Sequence, residues 1–304
     1  MNYRNSYIEY LKSFLKLDRN LKVVFDASNG PAGEIVKDVI RESVKDSGET
    51  KITAYHINTD IDPDFKAHGP NPLVTGASEQ CRQKILEHQA NLGVIFDADG
   101  DRAVFLDNLG LPLDSYLVLV LLAETTTGPY VVDEIVYNSL LQLKKIPEKQ
   151  LIPSKVGSYF MKEKMRTHKA SIGVELSGHY YFKDFFNSDS GIIAALKVIE
   201  AISSSTVNIN ELLVPFWSLR LVLDEVRLTP DLSWALIESK LRTNIDKSYA
   251  NCKIANRDGI TIINDNEWLN IRQSNTEPLL RITAGGENTK RINALIENVK
   301  KIIL

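Results

Sequence analysis

The sequence predicts an α/β protein with two consecutive α/β/α units that have mixed, largely parallel sheets, followed by a smaller α+β domain with an antiparallel sheet. Strand and helix patterns alternate as far as about residue 212, which is typical of largely parallel sheets covered by helices. After residue 214 short strand patterns follow one another with little between them, which favours antiparallel pairing. The last helix carries one apolar stripe from Ile292 to Ile303, so one of its faces should be buried.

The first unit is predicted to span residues 1–112. It opens with an amphipathic helix, because Tyr7, Ile8, Leu11, Phe14 and Leu15 recur at helical spacing. Strands are predicted at residues 21–25, 51–57, 92–96 and 103–107, and helices between residues 33 and 44 and at 78–89. Residues 58–72 are rich in Asp, Gly and Pro and are therefore predicted to be a loop.

The second unit is predicted to span residues 113–213 and the third domain residues 214–304. In the second unit, helices are predicted after Asp114 and at residues 159–167 and 190–203, with strands at 130–132 and 171–174. In the third domain, strands are predicted at residues 220–226, 259–263, 268–272 and 280–283, with a helix at 232–241 before the terminal helix.

The composition argues against several classes of protein. A net charge of −3 and a pI near 6.0 give no general attraction to nucleic acid or to anionic membranes. The longest apolar run, residues 116–123, is shorter than the ~20 residues that span a bilayer. Cys81 and Cys252 are far apart in sequence and suggest neither a disulfide framework nor a thiolate metal site. We expect a cytoplasmic protein.

The segment Asp-Ala-Asp-Gly-Asp-Arg at residues 97–102 follows a buried strand and is a candidate metal site. Asp97, Asp99 and Asp101 place hard oxygen ligands close together, which suits Mg²⁺. A solvated acidic turn is the simplest alternative, but carboxylates this close repel one another without a counter-ion. An EF-hand loop does not fit, because its sixth and twelfth positions would be Arg102 and Asn108. A phosphatase of the haloacid-dehalogenase type, with Asp97 as nucleophile, stays open as an alternative.

Two further segments carry polar side chains that could bind a phosphorylated sugar. Glu175, Ser177 and His179 alternate along residues 173–179, and in an extended segment they would share one side. Carboxylate, hydroxyl and imidazole groups suit sugar hydroxyls, although a plain polar turn has the same composition. Residues 272–278 combine an arginine, two hydroxyls and a carboxamide, which suit a phosphate dianion. A turn with a solvated arginine is the alternative.

Taken together, these three segments resemble the α-D-phosphohexomutases of the phosphomannomutase/phosphoglucomutase type. Residues 97–102 resemble the family's metal loop, residues 173–182 its sugar-binding loop and residues 272–278 its phosphate-binding loop, in the family's order. Residues 26–33 resemble the loop after the first strand of the family's second domain. The resemblance covers nearly the whole chain, as the second, third and fourth domains.

The resemblance implies an enzyme that moves a phosphoryl group between the 1 and 6 positions of a hexose phosphate, mannose or glucose, through a hexose 1,6-bisphosphate. It implies Mg²⁺ held by Asp97, Asp99 and Asp101, with Arg102 as the catalytic residue that neutralises charge on the transferred group. It implies sugar hydroxyls held by Glu175, Ser177 and His179, and a phosphate held by Arg272, Ser274, Asn275, Thr276 and Arg281.

The sequence departs from the family in two places. No segment resembles the loop of the family's first domain that carries the phosphorylated serine, and Ser158 stands where many relatives have histidine. We therefore expect little mutase activity from the chain alone, with a separately encoded first domain or a homo-oligomer as partner. The other hypotheses are a non-catalytic phosphosugar-binding protein and an unrelated metal-dependent phosphatase built on Asp97.

Overall fold

The computed structural model of the chain describes residues 3–47, 51–248 and 252–304. It contains two compact units: Met1–Val131 with Met161–Val214, and Val132–Phe160 with Pro215–Leu304. The boundary between them runs through the strand Tyr130–Asp133. The division into three domains stays a prediction. None of the described helices has the length and apolar character needed to cross a membrane.

The first sheet has a mixed topology. Its strands are β1 (Leu21–Asp26), β2 (Ile52–Ile57), β3 (Leu92–Phe96), β4 (Ala103–Leu106) and β5 (Pro112–Leu113), in the order β2-β1-β3-β4-β5. The pairs β1/β2 and β1/β3 are parallel, whereas β3/β4 and β4/β5 are antiparallel. The accompanying helices are α1 (Tyr3–Lys12), α2 (Ala32–Ser47) and α3 (Glu79–His88).

Strand β3 is buried along its whole length, as its continuous apolar sequence predicts. Gly93 within it allows α3 to approach closely. A Cβ atom at Gly93 would lie 2.5 Å from Ile85 Cδ1 and 2.8 Å from Cys81 Sγ. Both of those side chains are fully buried. The sheet therefore packs tightly against α3, and the residues that follow β3 are held at a fixed place on the sheet edge.

The second sheet has the strand order β10-β9-β8-β6-β7. Its strands are β6 (Tyr130–Asp133), β7 (Leu151–Ser154), β8 (Ile172–Val174), β9 (Tyr180–Phe182) and β10 (Ser188–Asp189). The helices of this part of the chain are α4 (Ser115–Leu122), α5 (Glu134–Leu143), α6 (Ser158–His168), α7 (Gly191–Ser203) and α8 (Ile209–Leu213). The pairs β8/β9 and β9/β10 are antiparallel. Every residue of α4 is buried, which confirms that the apolar run at residues 116–123 contains a core helix.

The third sheet is antiparallel throughout. Its strands are β11 (Arg220–Arg227), β12 (Lys253–Ala255), β13 (Ile260–Ile263), β14 (Glu267–Gln273) and β15 (Leu279–Gly286), in the order β11-β15-β14-β13-β12. Its helices are α9 (Trp234–Ser248) and α10 (Thr289–Ile303). On the predicted stripe of α10, Ile292, Ile296, Val299 and Ile303 are buried in the core of this sheet. The predicted fold class is confirmed.

Helix α5 is an element that the sequence patterns did not reveal. Asp133 begins it as an N-cap, because the Asp133 carboxylate accepts a hydrogen bond from the Val136 amide at 2.8 Å. The next residue, Glu134, is only 1% exposed, and its carboxylate accepts two hydrogen bonds from Arg257, at 2.7 and 2.8 Å. Such a buried carboxylate needs this pairing to be tolerated. The ion pair joins α5 to the turn before β13 within the second unit.

Candidate functional site

The acid loop, residues 97–102, is held in shape by Asp97. Its Oδ1 accepts hydrogen bonds from the Gly100 amide at 3.0 Å and the Arg102 amide at 3.1 Å, and its Oδ2 accepts one from Arg102 Nε at 2.6 Å. Gly100 has a φ of +79°, which a residue with a side chain rarely adopts. The loop therefore turns sharply directly after β3 and returns into β4.

The three carboxylates of the acid loop fit a divalent cation. One oxygen from each of Asp97, Asp99 and Asp101 can be chosen so that all lie within 4.8 Å of one another. Asp97 is buried, Asp99 is exposed and Asp101 is intermediate, so the cluster opens to solvent on one side. The hydrogen bonds to Asp97 occupy three of the about four acceptor positions of a carboxylate. Acceptor capacity therefore remains for a hard cation such as Mg²⁺.

The electrostatics of the loop differ from one carboxylate to the next. Burial raises the pKa of Asp97, although its hydrogen bonds with Arg102 oppose that rise. The His179 imidazole, with Nε2 3.5 Å from Asp101 Oδ2, lowers the pKa of Asp101. Burial by itself would lower the pKa of His179, but the interaction with Asp101, supported by the carboxylates of Glu175 and Asp189, outweighs burial and raises it. The loop is therefore an acidic centre with a histidine beside it.

Residues 175–179 form a tight turn between β8 and β9, and not the extended segment that their alternation suggested. The Gly178 amide donates to the Glu175 carbonyl at 3.1 Å, and the Glu175 amide donates to the His179 carbonyl at 3.1 Å. The turn still brings the predicted side chains together. His179 Nδ1 lies 2.9 Å from Ser177 Oγ and 3.6 Å from Glu175 Oε2.

This sugar turn, residues 175–179, lies directly against the acid loop within the first unit. The Ala103 amide donates to the Gly178 carbonyl at 3.1 Å, and Arg102 and His179 form an antiparallel β-bridge. His179 Nε2 lies 3.5 Å from Asp101 Oδ2. The start of α7 packs on the same loop, since a Cβ atom at Gly191 would lie 2.4 Å from the Arg102 carbonyl oxygen. The metal and sugar candidates therefore form one site.

Three residues near this site were not among the predicted site residues. Tyr181 donates from its hydroxyl to Glu175 Oε2 at 2.7 Å. Asp189 belongs with Asp101 and His179 to a second group whose ligand atoms can lie within 4.8 Å of one another. Lys162 Nζ lies 3.3 Å from Asp189 Oδ1. No pattern in the sequence indicated these contacts, because they depend on tertiary structure.

The predicted phosphate loop, residues 272–278, connects β14 to β15 in the second unit. Arg272 lies on β14, and Arg281 is its cross-strand partner on β15. Ser274 is buried, and its hydroxyl has no hydrogen-bond partner among the residues that the structure describes. Asn275 and Thr276 are exposed. A buried hydroxyl between an arginine and two exposed polar side chains is consistent with an anion site.

The surroundings of Arg272 add residues that the motif did not include. Arg272 Nε lies 3.9 Å from Asp258 Oδ2, and that oxygen accepts a hydrogen bond from the Val156 amide at 3.2 Å. Asn275 Nδ2 donates to the Val156 carbonyl at 3.4 Å. Arg281 is paired with Glu277 at 3.0 Å and with Glu225 at 3.3 Å. Arg272 is therefore only loosely paired, with the Asp258 carboxylate 3.9 Å away. Arg281 already forms closer ion pairs with two carboxylates.

Three domains of one protein family match this chain. Residues 5–110 match the phosphoglucomutase/phosphomannomutase α/β/α domain II, residues 114–218 match α/β/α domain III, and residues 238–302 match the C-terminal domain. The chain belongs to this family. Family membership decides against an unrelated phosphatase built on Asp97.

Named relatives agree with this result. The chain is 28% identical to a phosphomannomutase of Methanocaldococcus jannaschii over 305 residues, covering 97% of this chain and 64% of the relative. It is 30% identical to a phosphomannomutase of Salmonella typhimurium, covering 92% of this chain and 62% of the relative. The chain thus spans somewhat less than two thirds of the length of these relatives.

A solved structure shows the same fold. A phosphoglucomutase/phosphomannomutase family protein from Burkholderia thailandensis superposes with a TM-score of 0.82 at 23% identity, covering 98% of this chain and 63% of that protein. The likeness supports the arrangement of the strands and helices described above.

Proposed function

We propose that this chain carries the metal-, sugar- and phosphate-binding parts of a phosphohexomutase that moves a phosphoryl group between the 1 and 6 positions of a mannose or glucose phosphate. The observation that carries this proposal is the contact between the acid loop and the sugar turn, with His179 Nε2 3.5 Å from Asp101 Oδ2. Two motifs separated by more than seventy residues converge on one site, as a phosphosugar with a metal beside it requires.

In the acid loop, Asp97, Asp99 and Asp101 are proposed to hold Mg²⁺. When bound, the ion supplies a Lewis acid that stabilises charge on a transferring phosphoryl group. Arg102 is proposed to place its guanidinium against the same charge, and the 2.6 Å hydrogen bond to Asp97 fixes where that guanidinium lies. Asp97 thus has two proposed tasks, because it shapes the loop and also contributes an oxygen to the cation.

In the sugar turn, Glu175, Ser177 and His179 are proposed to hold hydroxyl groups of the hexose. The three side chains form a hydrogen-bonding group that can both donate and accept. A sugar that reacts at either end must bind in two orientations, and hydroxyl recognition by such groups tolerates both. The proposed binding energy at this place positions the reacting end.

In the phosphate loop, Arg272, Ser274, Asn275, Thr276 and Arg281 are proposed to hold the phosphate that is not reacting. The buried Ser274 hydroxyl without a partner in the described chain and the incompletely paired Arg272 support this assignment. Arg281 would have to share its guanidinium with Glu277 and Glu225, so its contribution is proposed to be smaller. The proposed domains 1–112, 113–213 and 214–304 then carry one loop each.

Turnover needs a phosphoryl carrier, and the family's phosphoserine loop has no counterpart among these 304 residues. We propose that mutase activity requires a serine-bearing first domain, carried by a longer form of this polypeptide or by another one. The hexose 1,6-bisphosphate would be the intermediate that reorients between two phosphoryl transfers.

A coupled mutase assay with calorimetry tests the proposal. The purified chain should bind glucose 1-phosphate or mannose 1-phosphate when Mg²⁺ is present, with turnover at background even when glucose 1,6-bisphosphate is added. Supplying the phosphorylated serine-bearing domain of a family relative should raise turnover. Failure to bind either sugar phosphate would contradict the phosphosugar assignment, and rapid turnover by the chain alone would contradict the need for the serine domain.

A further inference from the structure

The Glu175 carboxylate is 2% exposed, and a carboxylate so buried depends on hydrogen-bond donors. Tyr181 provides one, since its hydroxyl donates to Glu175 Oε2 at 2.7 Å. The same oxygen lies 3.6 Å from His179 Nδ1, which in turn lies 2.9 Å from Ser177 Oγ. The Tyr181 hydroxyl is therefore the first in a series of polar contacts that links Glu175, His179 and Ser177 of the sugar turn.

The ring of Tyr181 is held in place from several sides. Tyr181 is 1% exposed and pairs with Gly173 across β8 and β9, where a Cβ atom on the glycine would lie 3.1 Å from Tyr181 Cβ. On its other edge Tyr181 pairs with Asp189 of β10. Lys162 Nζ lies 5.9 Å from the ring centroid and 3.3 Å from Asp189 Oδ1. Packing thus fixes the ring, which lies 6.4 Å from the His179 ring between centroids, and the hydroxyl reaches Glu175 of the sugar turn.

We infer that Tyr181 is a positioning residue for sugar recognition, which fixes the orientation of the Glu175 carboxylate through the hydrogen bond from its hydroxyl. The inference rests on the proposed function, because it requires that Glu175 binds sugar hydroxyls. In this inference Tyr181 acts on the ligand only through Glu175, to which its hydroxyl donates. Loss of the Tyr181 hydroxyl should therefore lower the affinity for ligands with ring hydroxyls and leave the affinity for inorganic phosphate unchanged.

The variant Tyr181→Phe tests the inference, because it removes the hydroxyl and keeps the ring. Binding of glucose 1-phosphate and of inorganic phosphate to the full chain, each with Mg²⁺, is measured by calorimetry. We expect the affinity for glucose 1-phosphate to fall about fivefold, as for a lost hydrogen bond, with the affinity for inorganic phosphate unchanged. An equal fall for both ligands would show a general structural effect and overturn the inference, as would no change for either.

A matched control and a double variant complete the test. Tyr130→Phe also removes a buried hydroxyl of the first unit that donates to a carbonyl, that of Thr126, and it should leave both affinities unchanged. In a Glu175→Ala background, Tyr181→Phe should reduce the affinity for glucose 1-phosphate no further, because Tyr181 acts through Glu175. A further fivefold fall there would overturn the inference. If the unaltered chain fails to bind glucose 1-phosphate, the proposed function itself fails, which separates the two conclusions.

Discussion

At the scale of single residues, the three carboxylates of the acid loop differ in their burial and in the contacts they make. Asp97 is buried and accepts three hydrogen bonds that define the loop, whereas Asp101 interacts with His179. Asp99 is exposed and makes no hydrogen bond within the described part of the chain. Substituting Asp97 would mix loss of structure with loss of metal binding. Asp99 is thus the position at which metal binding can be tested by itself.

The variant Asp99→Asn should weaken Mg²⁺ binding without lowering the stability of the metal-free chain. Replacing a charged oxygen ligand by a neutral one should lower the affinity at least about tenfold, since the charge of the ligands sets the affinity of such sites. The melting temperature without metal should not fall, because no hydrogen bond is lost and the repulsion among the three carboxylates decreases. Calorimetric titration with Mg²⁺ and a thermal scan measure both. Asp64→Asn, at another exposed carboxylate, is the control, and an unchanged Mg²⁺ affinity for Asp99→Asn would contradict the metal assignment.

His56 should make stability depend on pH. Burial, assisted by the nearby Lys37, lowers the pKa of His56 from the usual 6.5 to about 4. The unfolded chain therefore binds a proton at a higher pH than the folded chain does. The contribution of neutral His56 to stability is complete above about pH 6.5 and is lost as the pH falls towards 4. Between pH 7.5 and pH 5 this loss should be about 2 kcal/mol.

Urea unfolding of the unaltered chain and of His56→Gln at both pH values measures this effect. The variant cannot titrate at this position, so its stability should fall by about 2 kcal/mol less over the same interval. Comparing the two proteins cancels the contributions of other groups. One of these is His68, whose pKa the Asp26 carboxylate, 3.3 Å from His68 Nε2, raises. Equal pH dependence in the two proteins would show that His56 titrates normally in the folded chain.

At the scale of elements, the turn before β13 determines where Arg272 lies. Gly259 has a φ of +74°, and a Cβ atom there would lie 2.1 Å from the Ile271 carbonyl oxygen and 2.7 Å from Arg272 Cβ. The turn therefore lies directly on the backbone of β14, and the carboxylate of the preceding Asp258 comes within 3.9 Å of Arg272. A side chain at residue 259 would push the turn away from the predicted phosphate loop.

The variant Gly259→Ala should destabilise the chain by more than Gly69→Ala. Gly69 also has a positive φ, +83°, but no atom lies within 4 Å of its would-be Cβ. Gly69→Ala should therefore show the conformational cost alone, about 1 kcal/mol, and Gly259→Ala should add the steric conflict. Urea unfolding measures the stability of both, and ³¹P NMR titration measures phosphate binding, which only Gly259→Ala should weaken. Equal losses of stability would mean that β14 moves aside without cost.

At the scale of the whole molecule, the sequence was sufficient for the fold class, and it indicated candidate site residues without their geometry. Continuous apolar runs such as β3 and α4 are predicted correctly, because an element that is buried on all sides must consist almost entirely of apolar residues. Helix α5 was missed because its N-cap, Asp133, and its buried carboxylate, Glu134, interrupt an apolar run. The role proposed for Tyr181 depends on a contact across a turn, which no periodicity encodes. Hydrophobic patterns in the sequence indicate which residues are buried, whereas the hydrogen-bond partners of a residue depend on the tertiary structure.

The assignment of separate tasks to Glu175 and Arg272 gives a prediction for the whole chain. If Arg272 holds a phosphate, Arg272→Met should lower the affinity for inorganic phosphate and for glucose 1-phosphate by the same factor, about tenfold or more for a charged hydrogen-bond donor. If Glu175 holds hydroxyls, Glu175→Gln, which preserves the shape of the side chain, should lower only the affinity for glucose 1-phosphate.

Calorimetric titration of both ligands to both variants, with Mg²⁺ present, measures these effects. Arg242→Met is the control, because Arg242 forms an exposed ion pair with Glu238 on α9, and pairs of this kind contribute little. The decisive quantity is the ratio of the two affinities, because a general loss of folding would lower both. A ratio unchanged in Glu175→Gln, or shifted in Arg272→Met, would mean that the two loops do not divide sugar from phosphate.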